Sequence, residues 1–418
     1  MTEVAEARTG LLAPFRSRAF TLYFAGQLIS QLGDGIYLVA LPFIVFGSGW
    51  GADELGLVLA AFGIARLVAF PIGGTLADRH GARVIMLIAD GARVVVLLGF
   101  ALLVFAGQPP LWLVAGSVAL FGLFEGMFTP ASFAVLPAIV QKELLGPSNS
   151  LASTMQSIAM IAGPAAGGPV VTGLKSWVSL LVNAVTFVVS TVTLLFVPVR
   201  RVTPAPAREA GEAGPEAPPA VTPGWAEVGR HVVANPLLRM SLLVTVVVNL
   251  AYAGMTDVAL PSFAISGLGG GPGTFGTIMA AFGVGSLLGA LCGVLLLRSR
   301  RRALVALFLG VGQGAAIMCV PLGESLVVAS AAMLMAAVLQ SVLNVFYMTM
   351  LQSQIPGELL GRVMSLLVTC AGLAFPLSTV IAGRAVEAVG APLVIVVAGL
   401  GVSLAFVAGF FSREYRRM

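Results

Sequence analysis

Apolar residues run unbroken for about twenty positions at a time, separated by short polar stretches, and this rhythm recurs along the chain. Each run can carry a helix across the roughly 30 Å hydrocarbon core at about 1.5 Å per residue. Membrane helices are predicted over 20–46, 55–76, 84–107, 111–135, 149–173, 177–198, 239–263, 274–297, 303–322, 325–350, 362–386 and 391–411, twelve in all. The runs do not alternate, which excludes a transmembrane β-barrel. Val199–Pro223 breaks the rhythm by replacing branched apolar residues with Pro, Ala, Glu and Gly. It is predicted to be a solvated linker. The expected organisation is a six-helix bundle over 1–198, a linker over 199–235 and a second bundle over 236–418. Trp225–Val233 is predicted to lie as a short helix on the membrane surface, with Trp225, Val228 and Val232 toward lipid headgroups.

Composition agrees with this pattern: 58% hydrophobic residues, 10% charged and a mean hydropathy of +1.01 exclude a water-soluble globule. The net charge of +5 does not point to nucleic acid, because the positive residues track one membrane side. Nineteen of the 23 Lys and Arg fall on the side that holds both termini, and only Lys175 sits in a clearly opposite loop. By the positive-inside rule both termini are expected to be cytoplasmic in a multi-pass protein of the inner (plasma) membrane, in contact with its lipids. Cys292, Cys319 and Cys370 lie within apolar runs and are read as small core residues. His80 and His231 fall in predicted cytoplasmic segments, and no Walker loop or metal-ligand spacing occurs. No cofactor, metal site or enzymatic activity is expected.

Three tetrapeptides recur in the same order. Val39-Ala40-Leu41-Pro42 returns as Val258-Ala259-Leu260-Pro261, Ala60-Ala61-Phe62-Gly63 as Ala280-Ala281-Phe282-Gly283, and Glu143-Leu144-Leu145-Gly146 as Glu358-Leu359-Leu360-Gly361. Their offsets of 219, 220 and 215 set helices 1, 2 and 4–5 opposite helices 7, 8 and 10–11. Such a parallel repeat predicts two bundles related by an axis along the membrane normal, with a substrate path between them.

Six charged residues fall inside predicted spans: Asp34, Arg66, Asp90, Arg93, Glu125 and Asp257. At roughly 2.5–3.5 kcal/mol per charge near the bilayer centre, they are expected to face protein or water. Asp34 and Arg66 lie at similar depth in antiparallel helices, within reach of each other. Asp34, between Gly33 and Gly35 on a loosened backbone, is either a proton-exchanging carboxylate or the structural partner of Arg66. Asp90 and Arg93, three apart on one face, read as a structural pair. Glu125 has no basic neighbour in sequence and reads as a functional group flanked by Gly122 and Gly126. Asp257 lies toward the outer end of helix 7, where a solvated role competes with a functional one.

The most specific signal is the polar hairpin Gly73–Met86. Gly74, Leu76, Ala77, Asp78, Arg79, Gly81 and Arg83 match the pattern Gly-x-Leu-Ala-Asp-Arg-x-Gly-x-Arg, which resembles the loop between helices 2 and 3 of the major facilitator superfamily. Gly163-Pro164-Ala165-Ala166-Gly167-Gly168 resembles the helix 5 segment of that family's drug/proton antiporters, with Ala159 in place of a glycine of the longer pattern. Gly26 to Asp34, the Asp90–Arg93 pair, Pro130, Pro137 and Asn149 are similar to the subgroup of macrolide and siderophore exporters. Glu125 stands in the region where many proton-coupled exporters carry an arginine.

The resemblance implies an all-α membrane protein with twelve transmembrane helices in two pseudo-symmetric six-helix bundles, the major facilitator fold. It implies secondary active transport by alternating access: a monomeric antiporter coupling proton entry to efflux of a hydrophobic or amphipathic small molecule, as in multidrug resistance. The competing expectations are an importer, a siderophore or metabolite exporter with another coupling, or a membrane scaffold or sensor without flux. Asp78 is implied as a gate that holds the ends of helices 2 and 11 together, with Arg362 as its positive partner. Asp34, Arg66, Glu125 and Asp257 are the expected proton and substrate pathway.

Overall fold

The computed structural model describes residues 10–198, 225–296, 302–355 and 357–411, and each predicted span corresponds to a helix. Twelve long helices are described. The first half comprises α1 Arg18–Gly47, α2 Ala52–His80, α3 Ala82–Ala106, α4 Leu111–Ile139, α5 Leu145–Gly173 and α6 Ser176–Leu195. The second comprises α7, which runs as Pro236–Gly254, a π turn Met255–Ala259 and Leu260–Ser266, then α8 Pro272–Leu296, α9 Arg302–Cys319, α10 Leu326–Gln354, α11 Gly357–Val389 and α12 Ala391–Phe411. Helices satisfy every backbone polar group internally, the condition a hydrocarbon solvent imposes.

Among the described residues, ten helices are long and apolar enough to cross a membrane. The other two differ from the expectation of twelve uniform spans. In α9 the apolar stretch is the shorter Leu304–Cys319. In α5 the first half carries Ser148, Ser150, Ser153, Thr154, Gln156 and Ser157, and Ser153, Gln156 and Ser157 line a cavity. A helix that faces a polar interior need not be apolar all round.

The packing is duplicated as the repeats predict. In the first half α1 packs on α5 and α6, α2 on α4, and α3 on α4 and α6; in the second, α7 packs on α11 and α12, α8 on α10, and α9 on α10 and α12. The main contacts between halves, α2 with α11 and α5 with α8, are exchanged by the same pseudo-two-fold axis. The fold is therefore two pseudo-symmetric six-helix bundles.

The buried apolar clusters locate the join. At the end of the molecule near Asp53 one continuous cluster takes residues from both halves, among them Leu55, Val58, Phe100, Phe263 and Phe275. At the opposite end, near Asp78, two separate clusters lie one in each half. Phe20, Met86 and Val135 belong to the first, and Leu343, Phe346 and Val363 to the second. Large apolar side chains such as Trp112, Phe133, Phe308 and Val327 are exposed on the outside, as a lipid-facing surface requires.

Three expectations are corrected. The surface helix Trp225–Ala234 forms, but Val232 is buried with Leu238, Ile355, Leu359 and Val363. At Val232 the helix packs against the starts of α7 and α11 instead of on lipid headgroups. Cys292 and Cys319 are exposed and Cys370 half-buried, so none is a core residue; an apolar helix side may face lipid as readily as protein. The polar hairpin is tighter than predicted, because α2 continues through Asp78, Arg79 and His80 and the reversal is made at Gly81, with φ +92°. The linker Val199–Pro223 and the arginines at 298, 300, 301, 413, 416 and 417 lie outside the described residues.

Candidate functional site

A cavity of about 260 Å³ lies between the halves, and Asp34, Arg66, Glu125 and Asp257 all line it, with Tyr37, Phe62, Phe121, Phe275 and Phe375 among the apolar wall. All four members of the predicted pathway thus converge on one space. Three carboxyl groups face one guanidinium, so acidic side chains outnumber basic ones on the wall.

The pairing within it differs from expectation. Arg66 Nη2 lies 3.4 Å from Glu125 Oε1, so Arg66 pairs with α4 and not with Asp34. The cause is backbone packing: Gly126 meets the Arg66 carbonyl and Gly122 the Phe62 carbonyl, where a Cβ would come within 2.3 and 2.5 Å. These two glycines seat α2 directly on α4 and carry Glu125 to the guanidinium. Asp34 instead accepts a hydrogen bond from Asn183 Nδ2 of α6 at 3.4 Å. Gly33 and Gly35 do not loosen its backbone. A Cβ at Gly33 would stand 2.1 Å from Thr186 Oγ1, and one at Gly35 would stand 2.6 Å from Gly163 Cα. Asp34 is held rigidly between α5 and α6.

Asp257 reaches the cavity through a defect in α7. Ser378 of α11 accepts the Gly254 N–H at 2.7 Å and donates to the Leu250 carbonyl at 2.5 Å. These are the two groups an α-helix would join to each other, and the inserted hydroxyl opens the ladder just before the π turn. Asp257 therefore lies on the cavity wall and not at a solvated helix end. Its repeat counterpart, Leu38 by the offset of 219, lines the same cavity.

Asp90 and Arg93 lie apart from this site. They pair within α3, Ser190 donates to Asp90 Oδ2 at 2.7 Å, and Gln27 donates to Ser190 at 3.2 Å. The Arg93 guanidinium sits 4.2 Å from the Phe187 ring centroid and 4.4 Å from that of Phe128. A buried charge pair stacked in this way ties four helices together.

The Asp53 end is closed. Ala52 donates its N–H to Glu387 Oε1 at 2.8 Å, Gly51 donates to Glu54 Oε2 at 2.9 Å, and Arg384 lies 3.6 Å from Asp53. A carboxylate of α11 thus caps the N-terminus of α2. At the other end Asp78 and Arg79 are exposed, and Asp78 has no hydrogen bond or ion pair among the described residues. Arg362 is half-buried with Nη1 unpartnered, so the expected Asp78–Arg362 contact is not made in this conformation. Arg83 has a different partner: it donates to the carbonyls of Leu194, at 2.8 Å, and Leu195, closing the end of α6. A Cβ at Gly74 would meet Pro130 Cβ at 3.8 Å, an ordinary van der Waals contact.

The helix 5 segment divides its contacts. Gly163 and Gly167 press on α1, with Cβ positions 2.8 Å from Gly35 Cα and 3.1 Å from Ile36 Cα. Gly168 presses across the join on Gly273 of α8 at 3.0 Å, and the Pro164 carbonyl faces Gly276.

A second cavity, about 600 Å³, lies nearer the Asp78 end between α5 and the second half. Its polar wall, including Gln313, Gln340 and Tyr347, was not singled out from sequence, because uncharged polar residues scattered through apolar runs carry no periodic signal. Asn183 and Ser378 were missed for the same reason.

Comparison with known proteins adds to this geometry. Enterobactin exporters EntS of Shigella flexneri and Shigella boydii are 26% and 27% identical to the chain over 350 residues, covering 82% of it and 79% and 80% of the relatives. A bacterial homologue of the lysosomal transporter Spinster, solved inward-facing and unoccupied, superposes with a TM-score of 0.72 at 13% identity, covering 97% of this chain and 98% of that one. The nucleoside transporter NupG superposes with a TM-score of 0.71 at 12% identity, covering 94% of this chain and 100% of that one. These structures share the fold. The profile described as Major Facilitator Superfamily matches residues 23–379. With two pseudo-symmetric six-helix bundles and a cavity at their join, the chain belongs to the Major Facilitator Superfamily of membrane transporters.

Proposed function

We propose that this transporter is a proton-driven exporter of an amphipathic small molecule, working as a monomer in the inner (plasma) membrane with both termini and the Asp78 end in the cytoplasm. The bundles 1–198 and 236–418 move as units about the join, tethered by the linker 199–235. The observation that carries this reading is the convergence of Asp34, Arg66, Glu125 and Asp257 on one cavity at the join, closed toward Asp53. A carboxylate excess between two moving bodies can take up a proton from one side and release it to the other as its access changes.

Three further observations support it. The apolar clusters are joined at one end and split at the other, as a carrier open to one side requires. Asp78 and Arg362 stand unpaired at the split end, in keeping with a latch that closes only when the carrier faces the other way. The relatives named enterobactin exporter favour the outward direction.

The test is transport by the full chain in inside-out vesicles. An acid-inside gradient should drive uptake of an amphipathic dye such as Hoechst stain, and a protonophore should abolish it. Uptake that ignores the gradient would remove proton coupling, and uptake only in right-side-out vesicles would reverse the direction.

A further inference from the structure

Of the six charged residues singled out within spans, four line the smaller cavity and two form the Asp90–Arg93 pair. At about 260 Å³ that cavity is below the roughly 300–1,000 Å³ of pockets that hold drug-sized ligands. The second cavity, at about 600 Å³, falls within the range, and among the described residues no Asp, Glu, Lys, Arg or His lines it.

The internal repeat makes this contrast specific. The offset of 220 that carries Phe62-Gly63 to Phe282-Gly283 carries Arg66 to Ser286. The offset of 215 that carries Glu143 to Glu358 carries Glu125 to Gln340. Ser286 and Gln340 both line the second cavity. Where the first half places an ion pair, the second half therefore places a hydroxyl and an amide.

Polar groups of that wall are buried without partners. Gln313 and Ser241 are each 1% exposed, and the Nε2 of Gln313 and the Oγ of Ser241 have no hydrogen bond among the described residues. The Oε1 of Gln340 is likewise buried and unpartnered. Buried donors and acceptors are normally satisfied, so free ones on residues that line a cavity mark where a ligand or water would bind. The wall is fixed in place, since the Tyr347 hydroxyl donates to the Ser241 carbonyl at 3.0 Å and meets Thr245 Oγ1 at 3.0 Å, holding α10 to α7. Phe282 and Phe406 supply the apolar part of the lining. Among the described residues the lining offers an ion no countercharge.

The geometry points to the second cavity as the binding site for an uncharged amphipathic ligand bearing both hydrogen-bond donors and acceptors, recognised by the amides of Gln313 and Gln340 and the Ser241 hydroxyl. This deepens the exporter reading and rests on it: the charged cavity handles the coupling ion, and the neutral one handles the cargo.

The experiment measures binding to the full chain in detergent, without any gradient, by fluorescence polarisation of three matched probes: a coumarin carboxamide, the corresponding carboxylate and its trimethylammonium analogue. The carboxamide should bind at least tenfold more tightly than either charged probe. Gln313→Leu and Gln340→Leu should each weaken it about fivefold to tenfold, in line with the loss of a buried hydrogen bond. Gln340→Glu, which restores the charge of the repeat partner, should shift preference toward the cationic probe and so guards against a variant that merely unfolds. Equal or tighter binding of a charged probe, no binding of the carboxamide, or leucine variants with unchanged affinity would overturn the assignment. Because no gradient is applied, failure of proton-driven transport in vesicles would count against the exporter reading and leave this binding result standing.

Discussion

The Ser378 hydroxyl of α11 accepts the Gly254 N–H of α7 at 2.7 Å, so a side chain from one helix occupies a place in the backbone ladder of another. Asp257 owes its place on the cavity wall to the π turn that begins one residue later. Ser378→Ala removes both bonds and should destabilise the protein by about 1–3 kcal/mol. The turn should relax toward a regular helix and rotate residue 257 away from the cavity. Transport should fall at least tenfold, and an Asp257→Cys reporter should react more slowly with a small maleimide in the Ser378→Ala background. Unchanged labelling would show that the turn holds without the serine.

Arg66 and Glu125 form the ion pair of the charged cavity, with side chains 46% and 27% exposed. Partial exposure keeps the pair's contribution to stability small, near 1 kcal/mol or less. Glu125→Gln should therefore leave folding nearly intact while lowering gradient-driven flux more than tenfold. Exchange of substrate across vesicles without a gradient should persist. Loss of both activities alike would assign Glu125 to substrate and not to the proton.

Asp78 ends α2 exposed and unpaired. If it latches to the start of α11 in the opposite conformation, Asp78→Asn should insert normally and lose most of its flux. Cysteines placed at 78 and 362 should cross-link only when the carrier is trapped open at the Asp53 end. Full activity of Asp78→Asn would remove the latch.

Gly163 and Gly168 lie five residues apart in α5 yet meet different bundles. Gly163→Val should overpack the α1–α5 contact inside one bundle and lower thermal stability by roughly 1–3 kcal/mol. Gly168→Val acts on the join with α8, so it should leave the bundles folded while favouring separation at the Asp53 end. Melting temperature distinguishes the first variant, and labelling of a cysteine at Leu59, on the cavity wall, distinguishes the second.

Much of this was legible in the chain. Runs of about twenty apolar residues gave the helices, because hydrocarbon admits little else, and three recurring tetrapeptides gave the duplication. That Asp34, Arg66 and Glu125 face one interior followed from the cost of leaving charge in lipid, whereas Asp257 read as lying toward the end of its helix. Which carboxylate Arg66 takes did not follow, since depth alone does not say how a helix is rotated. The glycines at 122 and 126, spaced four apart on the side that meets α2, were the signal that could have given it. The π turn had no local signal, for its cause is a serine on α11, 124 residues from Gly254.

Beside the shared apolar cluster, the join near Asp53 sets main chain against main chain at four glycine contacts: Gly56 on the Thr379 carbonyl, Gly383 on that of Ala52, Gly276 on that of Pro164 and Gly168 on Gly273. Parting these glycine contacts wets few methyl groups, so they add little to the roughly 25 cal/mol per Å² that the shared apolar cluster contributes to closure. Glu387 and the Arg384–Asp53 pair bridge the same seam at its rim. A seam of that composition can come undone on every turnover without unfolding what lies on either side of it.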